Sequence, residues 1–219
     1  MSEEVGQNEE HWDEWWKDTD IETQISMWDF YGLRPHIMKF VPRNGRVLEA
    51  GSGLGRYVFY LSRFGVNIEG VELSKKLVDH LNTWKQNQDF PNIKFLSGNV
   101  ISLPYPDSSL SGYISLGVIE HFEEGPLLAL NEAHRVLRPG GIAIITTPSP
   151  SYYVRYKRFV NAIKKPIKKL LGKDKPEPFF QYEYSYNQLA KFVRDSKLFV
   201  SSKQSADLLY TFCEIGGFK

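Results

Sequence analysis

The chain contains the stretch Val47-Leu48-Glu49-Ala50-Gly51-Ser52-Gly53-Leu54-Gly55-Arg56, which predicts a strand, a glycine turn and the start of a helix. The apolar residues that open the stretch suit a strand covered on both faces. The three glycines permit backbone conformations with positive φ and let another molecule approach the main chain closely. From Leu54 onward, apolar residues recur at helical spacing. Together these elements predict a nucleotide-type pocket at the carboxyl end of the strand.

The alternation of strands and helices continues after this stretch. Further strands are predicted at 66–72, 93–96, 110–116 and 142–147, and the last of them follows the turn Arg138–Gly141. Helices are predicted at 54–64, 74–86 and 127–137, and Ser185 opens a later helix that two short strands follow. This order predicts an α/β fold whose sheet is mostly parallel and carries helices on both faces.

The segments on either side of this core have a different composition. We expect one domain over 1–219, made of N-terminal aromatic and acidic helices (1–44), a core (45–147), a basic insertion or lid (148–184) and a C-terminal helix with strands (185–219). Three tryptophans, Trp12, Trp15 and Trp16, fall at helical spacing in the first segment. They either pack the N-terminal helices onto the core or cover a ligand, and the sequence leaves both interpretations open.

Composition indicates an ordinary soluble protein. The formal net charge is only +1, although residues 1–30 are strongly acidic and residues 151–175 strongly basic. The single cysteine, Cys213, excludes an internal disulfide and suits a reducing compartment. The N-terminus has no apolar signal region, and no apolar run approaches the ~20 residues that span a bilayer. We therefore expect a cytoplasmic protein.

Three motifs, in order and at matching spacing, carry a resemblance to a known family. They are the acid and glycine motif 49–55, Glu72 at the end of the second strand, and Arg135-Val136-Leu137-Arg138-Pro139-Gly140-Gly141 before the fifth strand. Residues 45–150 resemble the class I S-adenosylmethionine-dependent methyltransferases, in particular the ubiquinone-biosynthesis-like small-molecule group. The resemblance implies a Rossmann-like, doubly wound, seven-stranded sheet with its final strand antiparallel, and S-adenosylmethionine as the cofactor.

The resemblance also implies a set of cofactor-binding positions. Glycine-loop residues would approach the methionine arm, Glu72 would accept hydrogen bonds from ribose hydroxyls, and residues after the third and fourth strands would reach the adenine and the sulfonium. The residues so assigned are Glu49, Gly51, Ser52, Gly53, Glu72, Leu73, Asn99, Val100, Leu116 and Gly117.

Two positions test the resemblance. A dinucleotide-binding loop of the type G-x-G-x-x-G would place a glycine where Arg56 stands, which favours the methyltransferase. At Asn99 the family commonly has an aspartate that accepts a hydrogen bond from the adenine amino group. An amide oxygen accepts the same bond, so we expect cofactor binding to survive this departure.

His121 is the candidate general base, because imidazole titrates near neutrality, and Glu120 stands beside it. The alternative is that both residues only support the following helix. Some relatives use Glu-x-x-Glu-His to hold a divalent metal, but the first of those positions is Gly117 here, so we predict no metal.

The function predicted from these features is methyl transfer to an O, N or C atom of a small molecule. The Trp and Tyr content suggests that this molecule is aromatic or lipid-linked. The alternatives are a protein or nucleic-acid methyltransferase and a catalytically inactive cofactor binder; near-zero net charge makes nucleic acid an unfavourable partner. Residues 152–171 combine basic and apolar side chains at helical spacing. They predict a lid, a contact with anionic membrane, or plain surface.

Overall fold

The computed structural model describes residues 8–27, 32–88, 90, 93–150, 179–206 and 210–216, and describes the strands after residue 198 by their backbone alone. The α-helices are α1 (Glu9–Trp16), α2 (Ile21–Ser26), α3 (Arg34–Phe40), α4 (Arg56–Ser62), α5 (Lys75–Trp84), α6 (Leu127–Val136) and α7 (Tyr186–Asp195). The strands are β1 (Val47–Ala50), β2 (Ile68–Glu72), β3 (Lys94–Ser97), β4 (Leu110–Leu116), β5 (Leu137–Pro148), β6 (Phe199–Ala206) and β7 (Tyr210–Gly216). Short 3-10 helices cover Lys85–Asn87 and Ile119–His121.

The strands form one sheet in the order β3-β2-β1-β4-β5-β7-β6. Strands β1 to β5 pair in parallel, with β1 between β2 and β4. The predicted α/β class with a parallel sheet is thereby confirmed. The backbone of β7 runs antiparallel to both β5 and β6.

The sheet separates two apolar cores. In β1, Val47 points into the core shared with α2, α3, α4 and α5, and Leu48 points into the core shared with α6 and α7. Both side chains are fully buried. A strand covered on both faces must be continuously apolar, which is why the opening of the glycine stretch identified it in the sequence.

The fifth strand begins earlier than predicted. The turn proposed for Arg138–Gly141 lies inside β5, which starts at Leu137, directly after α6. Leu137 pairs with Leu110 and Ile142 pairs with Gly112, with a bulge between the two pairs. The extra residues bulge out of the ladder, so a sequence that reads as a turn is accommodated within a strand.

Helix α1 is attached to the domain by partly buried contacts, since none of its residues is fully buried and Trp16 packs against the core shared by α2 to α5. Asp13 accepts a hydrogen bond from the Ser74 hydroxyl at 2.5 Å and pairs with Lys76 at 2.6 Å. Glu9 accepts the backbone N–H of Lys75 at 2.9 Å. Acidic side chains of α1 therefore dock on the first turn of α5, where free N–H groups favour negative charge.

The predicted lid or membrane segment, 152–171, lies outside the described residues. Within the ranges that are described, no helix is at once long and apolar enough to cross a bilayer.

Candidate active site

A cavity of about 510 Å³ opens at the carboxyl ends of β1, β2, β3 and β4. This edge is where open parallel sheets bind ligands, because the loops that follow the strands converge there. The structure brings every residue predicted for the cofactor and for catalysis to the lining of this cavity. These residues are Glu49, Gly51, Ser52, Gly53, Glu72, Leu73, Asn99, Val100, Leu116, Gly117, Glu120 and His121.

The glycine loop forms a cradle that no larger residue fits. Gly51 has φ of 72°, and a Cβ there would lie 2.6 Å from a methyl of Val118. Gly53 has φ of 50°, and a Cβ there would lie 2.8 Å from the Trp16 ring. Between them, the hydroxyl of Ser52 is buried with no hydrogen-bond partner among the described residues. A buried polar atom without a partner at a cavity wall is suited to a ligand.

Glu49 anchors the helix that follows the loop. Its carboxylate accepts the backbone N–H of Val58 at 3.0 Å, one of the N–H groups that the first turn of a helix leaves unpaired. Burial raises the pKa of Glu49 to about 8, against the opposing effects of this hydrogen bond and of the Arg56 charge. The hydrogen bond ties the end of β1 to the first turn of α4.

Glu72 joins the glycine loop to the end of β2. One carboxylate oxygen accepts the N–H of Gly53 at 2.8 Å, and the other accepts the N–H groups of Leu73 and Ser74 at 2.9 and 3.2 Å. Burial raises the pKa of Glu72, and the three hydrogen bonds act against that rise. A carboxylate oxygen has two lone pairs, so the group keeps acceptor capacity toward the cavity.

Asn99 follows β3 and already uses its amide oxygen. That oxygen accepts the N–H of Ile101 at 3.1 Å, which closes the turn after the strand. One lone pair remains for a ligand, whereas an aspartate would offer a second oxygen as well. We call residues 49–53, 72–73 and 99–100 the cavity floor.

His121 lies on the 3-10 helix after β4, almost completely buried. Its Nδ1 is 2.9 Å from the carbonyl oxygen of Phe180. A carbonyl only accepts, so we assign the proton to Nδ1, which leaves the Nε2 lone pair of the neutral ring as an acceptor. Burial lowers the pKa of His121, helped by the charge of His11 and opposed by the Phe180 hydrogen bond. A neutral imidazole with a fixed tautomer is suited to accept a proton.

Glu120 is 1% exposed, and its Oε2 has no hydrogen-bond partner among the described residues. Burial raises its pKa to about 8, so the carboxyl is mostly protonated at neutral pH. The other oxygen, Oε1, lies 3.6 Å from the position that a Cβ on Gly117 would occupy. Glu120 therefore lies against the end of β4 with spare hydrogen-bonding capacity.

Aromatic side chains from three distant segments cover the His121 side of the cavity. The rings of Trp12 and Phe180 each lie 4.9 Å from the His121 ring, edge to face. Trp15 stacks on Phe180 at 5.6 Å and is 52% exposed. We call His11, Trp12, Trp15, His121 and Phe180 the aromatic roof. The tryptophans line the cavity, and Trp16 also packs against the core, so both interpretations of these residues stay predictions.

Sequence reasoning missed the contribution of residues 180–183. Phe180, Gln181 and Glu183 line the cavity. Tyr182 donates its backbone N–H to the Glu120 carbonyl at 2.9 Å, which fixes the segment beside the site. The sequence around these residues has no motif, so only their aromatic content could have suggested a role. Among the described side chains, no group of three or more His, Cys, Asp or Glu residues is arranged to hold a metal ion.

Comparison with known proteins agrees with this geometry. Residues 48–145 match a family described as "Methyltransferase domain". A probable S-adenosylmethionine-dependent methyltransferase of Mycolicibacterium smegmatis is 31% identical over 103 residues, 47% of this chain and 38% of that protein. A demethylmenaquinone methyltransferase of Chlorobaculum tepidum is 28% identical over 153 residues, 68% of this chain and 60% of that protein.

The fold is also similar to that of a solved SAM-dependent methyltransferase from Methanosarcina mazei. The TM-score is 0.70 at 16% identity, over 84% of this chain and 97% of the other. The sheet order is Rossmann-like, with five parallel strands. The family match covers less than half of the chain, so it is this core that is similar to the methyltransferases. The chain spans between 38% and 60% of the length of the two curated relatives.

Proposed function

We propose that this protein is an S-adenosylmethionine-dependent methyltransferase that acts on a small molecule with an apolar, aromatic body. The observation that carries the proposal is that the cavity floor and the aromatic roof line the same cavity. The cavity floor offers a glycine cradle and buried carboxylates, and the aromatic roof places a neutral imidazole beyond them. Its volume is in the range of small-molecule sites.

The residues of the cavity floor fit the cofactor. S-adenosylmethionine supplies an electrophilic methyl group on a sulfonium when it is bound. A Cβ at Gly51 or Gly53 would collide with Val118 or Trp16, so only glycine lets this loop line the cavity beside those side chains. The methionine arm would lie along the loop backbone, near the Ser52 hydroxyl that has no partner among the described residues. Glu72 keeps acceptor capacity for the ribose hydroxyls. Leu73, Asn99 and Val100 would enclose the adenine, with Leu116 and Gly117 near the sulfur.

His121 is the group that we propose to take the proton from the acceptor. Its Nε2 lone pair receives the proton while Nδ1–H stays bonded to the Phe180 carbonyl. Because the base is held in place, its orientation does not have to be established during the reaction. Glu120, protonated near neutral pH, would donate a hydrogen bond to an oxygen or nitrogen of the acceptor.

The aromatic roof supports an aromatic acceptor in particular. Flat apolar side chains pack well against a planar ring, and edge-to-face or offset contacts add to the energy of burial. Relatives of this chain include demethylmenaquinone methyltransferases, whose name specifies a quinone. A hydroquinone or phenol would place its hydroxyl at His121 and its ring against Trp12 and Phe180.

The first experiment is titration calorimetry with S-adenosylhomocysteine, followed by transfer of a deuterated methyl group across a panel of hydroquinones, phenols and amines. We expect binding, and product with a hydroquinone or phenol. If the purified protein does not bind S-adenosylhomocysteine, the proposal fails. Binding without product on any acceptor would instead support the alternative of an inactive cofactor binder. A formal net charge of +1 gives no support to a nucleic-acid acceptor.

Residues 152–171 remain a prediction from the sequence, as a lid over the acceptor, a contact with anionic membrane, or plain surface. Sedimentation with vesicles of neutral and of anionic lipid tests the membrane contact. Binding to the anionic vesicles that salt reverses supports it. Absence of co-sedimentation leaves the lid and the plain surface, which deletion of 152–171 separates: turnover changes if the segment is a lid and stays the same if it is plain surface.

A further inference from the structure

Arg56 is the one lysine or arginine among the described residues that line the cavity. The other ionisable side chains at the lining are Tyr57, His121 and four glutamates, namely Glu49, Glu72, Glu120 and Glu183. Arg56 is the first residue of α4 and follows the glycine loop directly. A positively charged guanidinium at this position favours a ligand that carries an anionic group.

A hydrogen bond to the N-terminal helix α2 holds the guanidinium. Arg56 donates through Nη2 to the side-chain oxygen of Gln24 on α2, and Gln24 also lines the cavity. Guanidinium carries five N–H donors, so most of its capacity remains. Among the described residues, no carboxylate lies within ion-pair distance of Arg56; the nearby Glu49 senses its charge without pairing to it.

We infer that Arg56 binds the α-carboxylate of the cofactor's methionine arm and that Gln24 orients it for this contact. The inference rests on the proposed function. The adenosine part of the cofactor is neutral, and the sulfonium and the ammonium are cationic, so the carboxylate is the single anionic group. Arginine matches a carboxylate with two parallel hydrogen bonds. Without Arg56, no lysine or arginine among the described lining residues would offset the negative charge of that carboxylate.

The test compares two ligands that differ only in the amino-acid arm. S-adenosylhomocysteine carries the carboxylate, whereas 5′-methylthioadenosine keeps the adenosine and the sulfur but lacks the arm. For Arg56→Gln, we expect affinity for S-adenosylhomocysteine to fall by about 10- to 100-fold, since a charged hydrogen-bonded contact is lost. Affinity for 5′-methylthioadenosine should stay within about twofold, because no charge-assisted contact to that ligand is removed.

Two further variants complete the design. Gln24→Glu keeps Arg56 but gives it a competing carboxylate, so it should also weaken S-adenosylhomocysteine selectively. Arg63→Gln removes a positive charge just after the same helix, outside the cavity lining, and should change neither affinity. If Arg56→Gln does not fold, Gln24→Glu decides the matter alone.

The outcomes separate the two proposals. If the wild-type protein binds neither ligand, the proposed function fails, and the role of Arg56 fails with it. If the wild type binds both and the variants lose both ligands equally, or lose neither, the proposed function stands and the role of Arg56 is wrong. Selective loss of S-adenosylhomocysteine supports it.

Discussion

The cavity floor and the aromatic roof are built by different means. In the floor, Glu49 and Glu72 are buried on adjacent strands, where Glu49 accepts a backbone N–H of α4 and Glu72 accepts a backbone N–H of the glycine loop. In the roof, His121 rests on rings contributed by α1 and by residue 180, and α1 itself has no buried residue. The floor belongs to the rigid core, whereas the roof is assembled from segments that dock on it.

This difference indicates that the cavity floor and the aromatic roof have separate roles. Backbone hydrogen bonds to a buried carboxylate fix a shape that suits one cofactor. Helix α1 has no fully buried residue and docks through Trp12, Trp16 and a few polar contacts. We therefore expect it to open more readily than the core and so to admit and release an acceptor. We therefore expect changes in the floor to act on cofactor affinity, and changes in the roof to act on turnover and on opening.

The strongest test of the roof is His121→Gln, which removes the imidazole but keeps a polar side chain. Because a positioned general base contributes 10²–10⁴-fold, we expect kcat to fall by about 100- to 10,000-fold with S-adenosylhomocysteine affinity unchanged. In the wild type, kcat should fall as pH drops through the pKa of His121, which burial holds below its usual value, because only the neutral ring accepts a proton. His80→Gln, at an exposed position of α5, is the control. A His121→Gln enzyme with kcat near the wild-type value would show that the acceptor needs no base.

The corresponding test of the floor is Glu72→Gln. An amide has one acceptor oxygen, so at least one of the three N–H groups now bonded to Glu72 loses its partner and the ribose site is distorted. We expect affinity for S-adenosylhomocysteine to fall by about 100-fold and the free energy of unfolding to fall by about 1–3 kcal/mol, the cost of an unsatisfied buried group. Calorimetry and urea unfolding measure the two effects. Glu69→Gln, on the same strand but outside the cavity lining, should leave affinity intact; equal loss in both variants would contradict the assignment.

The attachment of the roof is tested by Asp13→Asn. The change removes the ion pair with Lys76 and weakens the bond to Ser74. Amide exchange within 9–16 should accelerate by about tenfold, the effect of one charged hydrogen bond on local opening. Asp18→Asn, at an exposed position just after α1, is the matched control.

The same contact has a pH dependence. The pKa of Asp13 is lowered by the Lys76 and Ser74 contacts, so the stabilisation is present above the ordinary carboxyl pKa. It is lost as pH falls through the lowered value. Opening of α1 that is independent of pH between neutrality and about pH 3 would show that Asp13 does not hold the helix, because the usual carboxyl pKa of ~3.9 lies within that range.

The smallest expected effect is that of Asn99→Asp in the floor. The new carboxylate bonds to Ile101 through one oxygen and leaves the other for the adenine amino group. We expect S-adenosylhomocysteine to bind about two- to fivefold more tightly, since one hydrogen bond is improved rather than created. Asn99→Ala should act in the opposite direction. If both variants weaken binding, Asn99 supports the turn and does not contact the adenine.

Much of the cavity floor could be predicted, because its residues belong to short motifs at the ends of predicted strands. Gly51, Gly53 and Glu72 stand at the ends of adjacent parallel strands, and parallel pairing brings those ends to one edge whatever else the chain does. The state of Asn99 could not be predicted. Its oxygen is taken by Ile101, a turn contact that depends on backbone angles that the sequence does not specify.

The aromatic roof depends on packing between distant segments, so fewer of its contacts could be predicted from the sequence. Helical spacing located the tryptophans but left their partners open. The predicted start of β5 was wrong, because Gly140 and Gly141 are typical of a turn. In the structure they lie in a bulge of β5, between residues that pair with β4 on either side. In each case the deciding contact comes from a strand or helix distant in the chain.

The sequence by itself determined the α/β fold, the glycine cradle and the resemblance to methyltransferases, because each depends on residue types at fixed local spacing. The tertiary structure alone decided that Phe180 holds the proton on Nδ1 of His121 and that Arg56 bonds to Gln24 at the cavity. It also decided that Oε2 of Glu120 has no hydrogen-bond partner among the described residues. Those features arise where segments far apart in the chain meet. The proton and charge of each group are set by burial and by neighbours, which only the folded chain supplies.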